Sequence, residues 1–142
     1  MDLGIRGKVA FITGGSRGLG KAAAISLAKE GAYVGICSRD ENTVADTITE
    51  LQSLGSSAKG FVGDISNLSQ LSDLHSKITK ELGEIEILVN NVGGSKEKGD
   101  FTETPLKGFQ ETFDLNLFGS FELMKLVTPN MISKKWGRVI NI

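Results

Sequence analysis

The sequence predicts an α/β fold: a doubly wound parallel sheet with helices on both faces. Two observations predict it. Strand-length apolar runs alternate with helix-length segments along the chain, the pattern of a parallel sheet covered by helices. The first strand and helix are joined by a glycine-rich turn, Thr13-Gly14-Gly15-Ser16-Arg17-Gly18-Leu19-Gly20. No repeat, low-complexity tract or linker divides the 142 residues, so residues 1–142 are expected to form one domain.

The elements follow in order. Val9, Ala10, Phe11 and Ile12 form the first strand, and the alanine-rich residues 21–30 form the first helix. Residues 32–37 are a second apolar run of strand length. Val44, Ile48, Leu51 and Leu54 recur at helical spacing, and Gly55 suits the C′ position. Ala58–Val62 is a third strand. Ser66 or Asn67 can cap the next helix, whose Leu68, Leu71, Leu74, Ile78 and Leu82 make one stripe ending at Gly83. Residues 85–89 are a fourth strand, and the polar residues 93–104 a loop at the mouth of the sheet. Pro105 suits the start of a long helix. Phe109, Phe113, Leu117 and Phe121 share one face of it, with Leu123, Val127 and Met131 continuing. Trp136 is expected to cover the entry to a fifth strand, residues 139–142.

Composition narrows the function. Sixteen basic and seventeen acidic side chains nearly cancel, so no polyanion partner is implied. Aromatics are sparse and no basic stripe carries them, which argues against nucleic-acid binding. No apolar run approaches the roughly 20 residues that span a bilayer, and no signal-peptide pattern opens the chain. No membrane association is expected. The single cysteine, Cys37, fits a reducing, cytoplasmic compartment and reads as a small buried hydrophobe. His75, the one histidine, lies beside an apolar stripe far from the strand ends. No metal site is expected.

The glycine turn reads as a phosphate cradle. Glycines let the backbone turn sharply and approach a ligand, and the helix N-terminus that follows favours an anion. Three templates compete for it. The P-loop pattern fits from Gly15 to Lys21 but fails at Ala22, which has no hydroxyl for Mg²⁺, and no convincing Walker-B aspartate follows. The dinucleotide pattern Gly-x-Gly-x-x-Gly/Ala fits Gly18, Gly20 and Ala23 but starts late after the strand. Thr-Gly-x-x-x-Gly-x-Gly matches Thr13, Gly14, Gly18 and Gly20 at every defined position. It resembles the coenzyme motif of the short-chain dehydrogenase/reductase family, and implies that Gly14, Ser16, Arg17, Gly18, Leu19 and Gly20 hold a coenzyme.

Polar residues past the strand ends extend the site. Ser38 and Arg39 stand about 20 residues beyond the glycines, where dinucleotide folds read the adenosine ribose. A carboxylate there would bond a 2′-hydroxyl. A hydroxyl and a guanidinium suit a 2′-phosphate, with Arg17 facing it from the other side, so NADP(H) is favoured over NAD(H). The competing reading for Arg39 is a surface ion pair with Asp40 or Glu41. Asp64 can accept from an adenine amino group with Ile65 beside the ring, or it can cap the following helix.

Asn90-Asn91-Val92-Gly93 resembles the family's Asn-Asn-Ala-Gly motif, with valine for alanine; the resemblance implies that Asn91 and Gly93 line the cofactor ribose. Asn116, within an apolar helix, is either a buried helix–helix strut or a site residue. The resemblance implies the latter, as the asparagine of a catalytic tetrad that helps hold a water in a proton relay. Gly119 after it could let another backbone approach closely.

The matches run from Arg6 to Ile142, and the nearest branch contains NADP-using 3-oxoacyl-carrier-protein reductases. The resemblance implies a Rossmann-type fold, hydride transfer between nicotinamide and a carbonyl or alcohol substrate, and a homo-oligomer, dimer or tetramer. It also calls for a serine and a Tyr-x-x-x-Lys pair. Tyr33 is the only tyrosine and Cys37 stands four residues after it. The chain is therefore expected to be the truncated N-terminal portion of a reductase, inactive alone, with its fifth strand left as an apolar edge of a sheet that should have seven. A non-catalytic nucleotide-binding or interaction module is the alternative.

Overall fold

The computed structural model describes residues 2–95, 97 and 99–142. Lys96 and Lys98, part of the expected mouth loop, lie outside the described residues. Five strands form one parallel sheet: β1 (Val9–Thr13), β2 (Tyr33–Ser38), β3 (Ala58–Val62), β4 (Ile87–Asn90) and β5 (Arg138–Asn141). Their order is β3-β2-β1-β4-β5, so the winding reverses between β1 and β4. Helices α1 (Gly18–Lys29), α2 (Glu41–Ser53), α3 (Leu71–Leu82), α4 (Leu106–Phe113) and α5 (Gly119–Ser133) connect them. This is the expected Rossmann-type sheet.

The two-residue period of β1 divides the core. Ala10 and Ile12 face α1 and α2, packing with Ala24, Ala28, Val44 and Leu51. Val9 and Phe11 face α3 and α5, packing with Leu74, Ile78, Leu123 and Val127. All five β1 residues are buried, which is why Val9, Ala10, Phe11 and Ile12 are continuously apolar rather than alternating. Burying side chains such as Phe11 and Ile12 contributes about 1.5–3 kcal/mol each. Gly55 and Gly83 end α2 and α3 with positive φ, where the sequence placed the stops.

Several boundaries moved. The second strand begins at Tyr33, not Ala32, because the Ala32 N–H closes the α1 terminus on Leu27 O. It runs on to Ser38, which pairs with Val62. The fourth strand starts at Ile87, since Glu86 donates its N–H to Val9 O outside the ladder. Neither Ser66 nor Asn67 caps α3; a 3₁₀ turn, Leu68–Gln70, precedes it.

The long helix after Pro105 is interrupted. Residues Asp114–Phe118 are π-helical, between α4 and α5. Leu123, Val127 and Met131 enter the core, whereas Phe109, Phe113, Leu117 and Phe121 are 41–50% exposed and form an uncovered apolar face. All four β5 residues are also exposed, on an edge strand that has no outer neighbour among the described residues. Trp136 packs against the α1–α2 side of the core, 4.5 Å beneath Lys8 Nζ. No helix among the described residues is long and apolar enough to cross a membrane.

Candidate functional site

The winding reversal leaves a crevice at the carboxyl ends of the strands, where neighbouring connections depart to opposite faces. A cleft of about 720 Å³ lies there. The glycine turn supplies Gly14, Ser16 and Arg17; the end of β2 supplies Cys37, Ser38, Arg39 and Asp40. Gly63, Asp64 and Ile65 come from the end of β3, and Asn91, Val92 and Gly93 from the end of β4. Leu115 reaches it from the π-helical segment. Gly18, Leu19 and Gly20 begin α1 beside the cleft and do not line it.

The turn is held by Asn91 and Thr13. The Asn91 amide donates to Thr13 O (3.1 Å) and Gly14 O (3.3 Å). Thr13 Oγ1 accepts from the backbone N–H of Asn91 (2.9 Å) and of Val92 (3.1 Å). Gly20 sits within this knot: a Cβ there would lie 2.4 Å from both Gly14 O and the Asn91 amide. Gly18 has φ +51°, and a Cβ on it would meet nothing within 4 Å, so it serves the backbone path rather than packing. No side chain caps α1, whose first-turn N–H groups have no intrahelical acceptor.

Ser16 is buried. Its hydroxyl lies 3.2 Å from Thr43 Oγ1, and its carbonyl accepts from Thr47 Oγ1 at 3.3 Å, tying the turn to α2. Asp40 caps α2 through Thr43 N–H (2.9 Å) and reaches Arg17 Nη2 at 3.5 Å. The Thr43 N–H chiefly, with the Thr43 hydroxyl and the Arg17 charge, holds the Asp40 carboxyl below the usual carboxylate range. The surface ion pair considered for Arg39 therefore forms on Arg17 instead. Arg39 is exposed and has no ion pair among the described residues.

Asp64 closes a tight turn, its Oδ1 accepting from Ser66 N–H (2.9 Å) and Ser66 Oγ (2.7 Å), while its residue still borders the cleft. It is not the cap of α3. Cys37 is wholly buried, donating to Gly63 O at 3.6 Å. Burial first, and the Asp64 charge second, push its thiol up to about 12, so it is no nucleophile.

Asn116 departs from the expectation of a buried amide. It is exposed on the π-helical segment. Its Oδ1 accepts from Gly94 N–H (2.9 Å) and its Nδ2 donates to Gly94 O (2.6 Å) and Thr112 O (2.7 Å). This two-way clasp ties the π-helical segment to the loop leaving β4. Gly119 starts α5 where a Cβ would lie 2.5 Å from Ile65 O, the close backbone approach read from sequence. His75 lies on α3, outside the cleft, and among the described residues no His, Cys, Asp or Glu cluster could hold a metal.

Sequence reasoning missed the Thr13 hydroxyl as the knot of the site, although Thr13 is a defined position of the matched template. It also missed Thr43 and Thr47, for which a hydroxyl repeating at four residues on the face toward the turn was the available signal.

A family model described as short chain dehydrogenase matches residues 8–142. Ketoacyl reductase HetN from a Nostoc species is 37% identical over 97% of this chain and 48% of its own length. Two solved structures superpose closely. A 7α-hydroxysteroid dehydrogenase complexed with NADH and 7-oxo glycochenodeoxycholic acid gives a TM-score of 0.91 at 35% identity, over 97% of this chain and 53% of that one. L-Sorbose reductase from Gluconobacter frateurii, complexed with NADPH and L-sorbose, gives 0.93 at 28% identity, over 99% and 54%. The chain spans about half the length of the curated relatives it matches.

Proposed function

The chain belongs to the short chain dehydrogenase family, and from that premise we propose that it forms the cofactor half-site of an NADP(H)-dependent oxidoreductase, with NAD(H) the weaker ligand. The observation that carries this reading is the cleft in which the glycine turn and the ends of β2, β3 and β4 meet at the winding reversal. Residues 1–142 act as one dinucleotide-binding unit. The residues present suit such a ligand: an uncapped helix N-terminus, hydroxyls, two guanidiniums at the rim and backbone brought close by glycine.

A bound nicotinamide ring supplies hydride chemistry to a carbonyl or alcohol substrate. The chain binds and orients. First-turn N–H groups of Gly18, Leu19 and Gly20, with Gly14 and Ser16, receive the pyrophosphate. Ser38, Arg39 and Arg17 receive a 2′-phosphate, Asp64 and Ile65 the adenine, and Asn91 and Gly93 the ribose nearer the substrate. Asn116, clasped to Gly94, positions water for proton transfer. The serine and Tyr-x-x-x-Lys that complete such a reaction have no counterpart in these residues, as Cys37 follows Tyr33 by four. The 3-oxoacyl-carrier-protein reductase branch is the proposed neighbourhood. The exposed face carrying Phe109, Phe113, Leu117 and Phe121 supports a homo-oligomer.

Equilibrium titration with NADPH and NADH tests the reading. The chain should bind NADPH more tightly. Arg39→Asp should weaken NADPH about 30- to 100-fold, the loss of charge-assisted hydrogen bonds plus repulsion, and change NADH by less than about threefold. Equal losses would remove Arg39 from the 2′ position, and no binding of either nucleotide would sink the proposal.

A further inference from the structure

The two guanidiniums at the rim of the cleft are in unlike states. Arg39 has no ion pair among the described residues, whereas Arg17 Nη2 lies 3.5 Å from Asp40 Oδ2. Asp40 cannot simply swing away with Arg17. Its other oxygen, Oδ1, accepts from Thr43 N–H at 2.9 Å and caps α2, so the negative charge is pinned at the rim. Thr43 in turn stands 3.2 Å from Ser16 Oγ in the glycine turn. The Arg17–Asp40 pair itself is solvent-exposed, at 71% and 48% of the two side chains, and such pairs are weak enough to exchange for a better anion.

We propose that Asp40 is a specificity-determining residue: its fixed carboxylate competes with a 2′-phosphate for Arg17 and so limits the preference for the phosphorylated dinucleotide. The proposal rests on the reading of the cleft as a dinucleotide site. A 2′-hydroxyl carries no charge and gains nothing from the displacement. Removing the Asp40 charge therefore acts on NADP and spares NAD. Asparagine caps a helix as well as aspartate does, so Asp40→Asn keeps α2 in place and deletes only the charge.

The test is calorimetric titration of the 142-residue chain with NADP⁺ and with NAD⁺ at low ionic strength. Asp40→Asn should tighten NADP⁺ about 3- to 10-fold and leave NAD⁺ within about twofold. Asp40→Ser, also a good cap, should do the same, which guards against a misfolded variant. In an Arg17→Ala background the gain from Asp40→Asn should shrink below about twofold. An unchanged NADP⁺ to NAD⁺ ratio in both Asp40 variants overturns the role of Asp40. A gain undiminished without Arg17 overturns the competition. No binding of either nucleotide by the folded wild-type chain overturns the reading of the cleft, and the inference with it.

Discussion

The two ends of this sheet treat charge in opposite ways. At the amino ends of the strands Glu86 is buried, but Lys8 Nζ lies 2.8 Å and Lys134 Nζ 3.8 Å from its Oε1, and Val9 N–H points to Oε2 at 3.4 Å. The cationic groups of Lys8 and Arg138 lie 4.5 and 5.0 Å from the centre of the Trp136 ring. At the carboxyl ends Arg39 has no ion pair among the described residues, Arg17 has a long exposed one, and α1 has no side-chain cap. A buried carboxylate matched by cations is costly to unpair. Charge left open at a crevice of the fold is available to a ligand.

Substitutions at the two ends should therefore separate stability from binding. The largest effect is expected at Gly20, where both are at stake. Gly20→Ala puts a methyl into Gly14 O and the Asn91 amide, costing about 2–3 kcal/mol in denaturant unfolding and removing detectable NADPH binding. A variant as stable as wild type would mean that the knot is not tight.

Glu86→Gln should cost about 1–2 kcal/mol by leaving Lys8 without its charge partner, while the NADPH affinity of the folded protein stays within about twofold. Its pH dependence has a definite sign. Burial works to raise the Glu86 carboxyl, but the Lys8 hydrogen bond, the Val9 N–H and the two lysine charges outweigh it and lower it. A group lowered in the folded state contributes stability above its unfolded value and loses it as pH falls through the folded value. The gap in thermal midpoint between wild type and Glu86→Gln should thus be full near pH 6 and close as the pH drops below about 4. A gap that widens on acidification would contradict the assignment.

The smallest stability effect is expected at Arg39. Arg39→Gln should change unfolding free energy by less than about 0.5 kcal/mol and still weaken NADPH more than tenfold. A destabilisation as large as that of Glu86→Gln would erase the distinction between the two ends.

How much of this was legible in the sequence divides along the same line. Local signals were sufficient for β3, for the stops at Gly55 and Gly83, and for the residues past the strand ends that border the cleft. Those depend on strand length, left-handed glycines and topology. Glu86 was not legible, because it falls inside an apolar run whose period says nothing of Lys134, 48 positions away. The π-helical segment was not legible either, since its stabilising clasp joins Asn116 to Gly94 across the mouth of the sheet. Nor did spacing reveal which arginine Asp40 would take. It takes Arg17, because the glycine turn and the start of α2 are drawn together by Ser16 and Thr43.

Amide hydrogen exchange with and without saturating NADPH tests the central claim most directly. The account predicts added protection in residues 14–20, 38–40, 63–65 and 91–94, with the backbone around Lys8, Glu86 and Trp136 unchanged. Protection confined to the amino ends of the strands, or none at the glycine turn, would contradict it.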